Sequence, residues 1–188
     1  MREIQTEMNW DLLKTKVEIV SGIVGMIAII GGGGYALFEY WERADSDRAK
    51  ESFTFVERFY KTPIIDAQLK LSTSWGKHEV ELRKLSSAAG KGETAAVDAY
   101  TTFILTTVAS EQLEPAIFTM IGFFEGIGLC TKHDWCDKKM AEAFFCDRAR
   151  EFYQLHFRFI RHKREQWSNP KLAGETDEFV YKTCSAGT

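Results

Sequence analysis

From Ile19 to Phe38 the chain runs for 20 residues without a charge, bounded by Glu18 and Glu39. Wound as a helix, such a run rises about 30 Å, the thickness of a bilayer's hydrocarbon core. Nine of its residues are Ile, Val, Leu or Phe. Each contributes roughly −0.3 to −0.6 kcal/mol to insertion when central, about −3 to −5 kcal/mol together, which offsets the glycines. Tyr40 and Trp41 follow at once, where amphipathic rings favour the headgroup level. A cleaved signal peptide would show a basic start and an Ala-x-Ala-like site. Here Glu3, Glu7, Asp11 and Glu18 mix with Arg2, Lys14 and Lys16, and Phe38 is followed by Glu39-Tyr40-Trp41-Glu42-Arg43. The reading is a tail over 1–16, a retained transmembrane helix over 17–41 and a helical domain over 42–188.

Within the span, Ser21, Gly25, Ala28, Gly32 and Ala36 recur at helical spacing. Such a stripe of small residues lets backbones approach closely and drives helix association in lipid. It is the expected interface of a homo-oligomer. Gly31 to Gly34 add a local weak point in the helix. Three basic residues on the amino flank (Arg2, Lys14, Lys16) face four on the other (Arg43, Arg48, Lys50, Arg58). That count tips the domain toward the cytoplasm. Cys130, Cys136, Cys146 and Cys184, read as free thiols of a reducing compartment, point the same way.

Beyond the span the pattern is helical, and alternating runs of strand type are nearly absent. The expected fold class is therefore all-α: one amino-terminal transmembrane helix followed by a cytosolic helical bundle. Residues 45–61, with Phe53, Val56 and Tyr60, continue the membrane helix as a stalk. Pro63 interrupts, and a helix over 64–85 carries Ile64, Ala67, Leu71, Trp75 and Leu82. Ser86 to Gly92 reads as a loop. Further helices are expected over Glu93–Ser110, from near Pro115 to about Leu129, and from Trp135 to Trp167. The last opens after Asp134, with Asp137 at its third position, and Asn169-Pro170 ends it. A short helix near 175–183 closes the chain.

A net charge of −3 argues against a duplex nucleic-acid binder, which would be basic overall. No metalloprotease, nucleophile-elbow or dinucleotide motif is present, so no catalytic residue and no cofactor is expected. Gly90-Lys91-Gly92-Glu93-Thr94 lacks the hydroxyl after the lysine that a phosphate loop needs. Cys130, His133 and Cys136, with Cys146 or His156, have the chemistry of zinc ligands. Their spacing matches no standard zinc module, and no metal is expected. His156 falls among Ala149, Phe152 and Ile160 at helical spacing and reads as a hydrogen-bonded core histidine. The notable polar feature is Arg158, Arg161 and Arg164, joined by Lys163 and His162. Guanidinium forks match phosphate and carboxylate oxygens, so Arg158, Arg161, Arg164 and Lys163 are the expected anion-binding set. A solvated helix end, where cations suit the dipole, is the plainer reading of the same residues.

Phe123-Phe124-Glu125-Gly126-Ile127-Gly128, Asp134-Trp135, Asn169-Pro170 and Glu178-Phe179 resemble a family of small bacterial single-pass membrane proteins. That family carries a carboxyl-terminal helical domain of unknown function. The resemblance covers Phe118 to Phe179 and implies no catalytic residues. In layout alone the chain is also similar to membrane effectors of antiviral systems, including CRISPR-associated ones gated by cyclic oligoadenylates. Together these suggest a membrane-anchored, oligomeric effector whose domain senses an anionic ligand, such as a cyclic oligonucleotide, and perturbs the membrane. The competing expectation is a non-catalytic structural or adaptor protein that recruits a protein partner. The expected partners are membrane lipid, further copies of the chain and the anionic ligand.

Overall fold

Apolar residues cover most of the circumference of the helix Glu114–Lys132, which leaves it no stable place but the centre of a fold. The computed structural model describes residues 45–185. In chain order the helices are α1 (45–59), α2 (Ile64–Lys77), α3 (Glu79–Ala89), α4 (Thr94–Ser110), α5 (Glu114–Lys132), α6 (Lys138–Gln166) and α7 (Gly174–Glu178). A π-helical turn, Phe179–Thr183, follows. There is no strand among the described residues, as the all-α reading requires. The tail over 1–16 and the transmembrane helix expected over 17–41, with its stripe Ser21, Gly25, Ala28, Gly32 and Ala36, lie outside the described residues. Among the described residues no single helix is long and apolar enough to cross a membrane.

α2, α6 and α7 pack around α5, while α3 lies against α4 and α4 against α6. On α6 the buried positions Ala141, Phe145, Ala149, Phe152, His156, Phe159 and Ile160 follow the three-and-four spacing of one helix face. Aromatic rings fill the centre. Phe59 lies 5.3 Å from Phe123 and 5.7 Å from Phe145, and Phe124 lies 5.4 Å from Phe152, centroid to centroid. Each such ring removed from water contributes roughly 1.5–3 kcal/mol. The turn into the centre follows from α1. Its inward face is Ser52, Phe55 and Phe59, whereas Phe53 and Tyr60 stay exposed.

Several boundaries differ from the sequence expectation. The helix expected over 64–85 is two helices, broken at His78, whose N–H bonds Trp75 O at 3.0 Å and tightens the turn. The second helix runs on to Ala89, so the expected loop shrinks to 90–93. α6 begins three residues later than expected, because Asp137 is itself the cap. Its carboxylate accepts from Met140 N–H at 2.8 Å, satisfying a donor that the first turn leaves open. The Asp137 N–H in turn donates to Ser52 Oγ at 2.8 Å, tying the start of α6 to α1.

The cysteines require a correction. They are not free thiols: Cys130 pairs with Cys136 and Cys146 with Cys184, each pair with Cα atoms 5.3 Å apart. The first closes the turn between α5 and α6, and the second fastens the tail to α6. Sequence separations of 6 and 38 residues carry no pairing signature, because both partnerships are made by tertiary packing. The cysteine argument for a reducing compartment therefore falls away.

Candidate functional site

Two grooves stand out, and they differ in chemistry. The first is a polar groove of about 330 Å³ between α4 and α6, lined by Val97, Asp98, Thr101, Leu105, Arg158, Arg161, His162 and Glu165. α6 supplies its basic side chains because Arg158, Arg161 and His162 lie on the face that the buried stripe leaves outward. Arg161 Nε donates to Glu165 Oε1 at 3.1 Å, with both side chains exposed. Such a pair contributes little and exchanges readily with solvent or ligand. Arg158 is different. Its guanidinium lies 5.9 Å from the Phe157 ring centroid and has no carboxylate partner among the described residues. It also acts on Tyr100, whose phenol burial pushes up and Arg158 draws back down. Asp98 and Glu165 are the groove's opposing charges.

The structure parts the four expected anion-binding residues. Arg158 and Arg161 share the groove, whereas Lys163 and Arg164 are engaged in the fold. Lys163 Nζ pairs with Glu114 at 2.8 Å and lies 5.2 Å from the Trp167 ring centroid. It joins the end of α6 to the start of α5. Arg164 donates to Leu172 O at 2.8 Å and to Asp177 Oδ2 at 2.7 Å, clamping α7 and the loop before it onto α6. Desolvation lowers the Arg164 pKa, against the pull of Glu125. Burial and the Glu125 carboxylate push Asp177 up to about 6 despite its arginine partner.

The second groove is apolar, about 460 Å³, with Leu71, Trp75, Met120, Phe124, Phe152 and Leu155 among its walls. His156 stands at its back, as a hydrogen-bonded core histidine. Its Nδ1 faces Phe152 O at 2.8 Å, and Trp75 Nε1–H donates to Nε2 at 3.1 Å. An indole can only donate, so Nε2 must be the acceptor and the proton sits on Nδ1. The ring is neutral, and burial lowers its pKa from 6.5 to about 4. With both nitrogens engaged, it has none free to act as a base. Sequence reasoning placed His156 in the core but missed Trp75 as its partner, 81 residues away.

The zinc-like set does not assemble. Cys130 and Cys136 bond each other, His133 stacks on Trp135 at 5.1 Å, and no metal-holding cluster occurs among the described residues.

Fold and grooves define a small all-α domain that carries both polar and apolar recesses. The chain belongs to the DUF4760 family, a domain of unknown function, which matches residues 26–183. No curated protein and no solved structure matches it.

Proposed function

We propose that the domain is a non-catalytic receptor for an anionic ligand, held at a membrane by the uncharged run over 19–38, and that the α4–α6 groove is its binding site. The observation that carries this reading is Arg158, a guanidinium beside Arg161 and His162 with no carboxylate partner among the described residues. An incoming phosphate or carboxylate supplies that partner and competes with Glu165 for Arg161. In an oligomer joined through the small-residue stripe of the span, ligand binding would be felt by the glycine-rich helix and so by the membrane. Each charged hydrogen bond contributes roughly 1.5–3 kcal/mol. Arg158→Ala should therefore weaken binding at least about tenfold.

The test is calorimetric titration of the full chain in detergent with pyrophosphate and with cyclic tetra-adenylate, at low and physiological salt. Binding lost in the Arg158→Ala, Arg161→Ala double variant supports the site. Equal binding by that variant, or no binding of either probe at millimolar concentration, overturns it. A second reading, an adaptor that recruits a protein, is favoured by the apolar groove at Trp75 and Phe152. Capture of a partner that is released by Gly76→Leu, which fills that groove, would support it.

A further inference from the structure

Every cysteine of the chain lies among the described residues, and all four are paired. The two pairs are built into the fold at different places. At the α5–α6 turn, Trp135 N–H and Cys136 N–H both bond Cys130 O, at 2.9 and 3.2 Å, so the backbone itself brings the two sulfurs together. At the tail, Cys184 N–H bonds Phe179 O at 2.9 Å and Arg150 donates to the Cys184 carbonyl at 3.0 Å. That seats Cys184 on Cys146 across 38 residues. Cα separations of 5.3 Å fall in the middle of the bridging range. All four residues are buried, unlike the exposed thiols of catalytic or redox-sensing pairs.

We propose that Cys130–Cys136 and Cys146–Cys184 are structural disulfides introduced by a thiol–disulfide oxidase, and that the domain matures on the oxidising, extracytoplasmic side of its membrane. Buried disulfides that use every cysteine of a chain belong to exported proteins, whereas cytosolic ones are rare and mostly transient. Each bond forms as two thiols release two protons and two electrons. The oxidase's own disulfide accepts them and leaves as a dithiol, so one S–S bond made here balances one broken there. The basic flanks, three residues against four, oppose this orientation only weakly. The proposal rests on the sulfurs and not on the α4–α6 groove, so failure of ligand binding leaves it standing. On that side of the membrane the groove meets anions found outside the cytoplasm, so cyclic tetra-adenylate serves in the titration only as a phosphate-bearing probe of the site.

The full chain would be expressed in a bacterial host, and the cells quenched in acid and alkylated before purification and digestion. The expected result is four unmodified cysteines before reduction, four modified after it, and cross-linked peptides joining 130 to 136 and 146 to 184. In a host lacking its periplasmic thiol oxidase, the four should become alkylated. Alkylated thiols in the normal host would overturn the proposal. Sidedness is read separately with Lys91→Cys in the exposed loop over 90–93 and a membrane-impermeant maleimide. Labelling with the inner membrane intact supports it, and labelling only after lysis overturns it. Should that variant mispair and fail to accumulate, a carboxyl-terminal alkaline phosphatase fusion decides: active for an exported domain, inactive for a cytoplasmic one.

Discussion

Lowering the pH should unfold this domain in part through one ring. His156 is neutral and nearly fully buried, and its pKa falls from 6.5 to about 4 in the folded state. Between those values the unfolded chain binds a proton that the folded chain refuses, so stability is lost as pH falls through that window. The sign follows from the depressed folded pKa: the contribution is complete above about 6.5 and gone below about 4. A fall from 6.5 to about 4 corresponds to about 3 kcal/mol over the whole window, of which about 2 kcal/mol falls between pH 7 and pH 5. Asp177, raised to about 6, acts in the opposite direction. It is present in parent and variant alike and cancels in a difference. The assay is urea unfolding of the parent and of His156→Gln at pH 7, 6 and 5. His156→Gln is expected to be less stable at pH 7, because Gln fits the Trp75 and Phe152 contacts less well, but to lose about 2 kcal/mol less than the parent on going to pH 5. Equal losses in the two proteins would refute the assignment of a neutral, proton-refusing histidine.

Three pairs of variants test packing, covalent ties and ion pairs in turn. Gly128→Ala would set its Cβ 2.5 Å from Glu175 O, so it should cost about 1–3 kcal/mol by overpacking. Gly122→Ala on the same helix meets nothing within 4 Å and should be neutral or stabilising, by up to about 1 kcal/mol; both are read from urea midpoints. Loop-closure entropy predicts that Cys184→Ser, opening a 38-residue loop, destabilises by about 4 kcal/mol, and Cys136→Ser, opening a loop of 6, by about 2 kcal/mol. Thermal melts should rank them in that order. Arg164→Ala leaves Asp177 and Leu172 O without their donor and should cost about 2 kcal/mol. Arg161→Ala removes an exposed pair and should stay within about 0.5 kcal/mol, as chemical denaturation would show.

The helices were largely legible because their signals are local. The spacing of Phe145, Ala149, Phe152, His156 and Ile160 marks the buried face of α6, and Pro115 marks the start of α5. What escaped depends on partners distant in sequence. Nothing near Arg164 distinguishes it from Arg158 or Arg161, yet Asp177 arrives from α7 and draws it into the fold while Arg158 is left in the groove. The same holds for Cys146, which reads as a free thiol until the tail brings Cys184 beside it. The break at His78 was hidden because residues on both sides of it, Trp75 and Leu82, satisfy one helical pattern. Half of the expected cation set thus stayed with the candidate site, and the other half proved to hold the domain together.

α3 contributes no buried residue, and Val80 at its start is 85% exposed. In α4 the buried positions, Ile104, Thr107 and Val108, all belong to the second half. Amide hydrogens in Glu79–Ala89 and in the first half of α4 should therefore exchange through openings far smaller than global unfolding, while those of α5 wait for it. Val97 and Thr101, which form one wall of the polar groove, lie in this easily opened part, whereas Arg158 and Arg161 stand on the long helix opposite. A ligand bridging the two walls would slow exchange selectively along α4. Its measured affinity would include the free energy of holding that arm closed, so a change that stiffens the α3–α4 hairpin would tighten binding without touching the ligand.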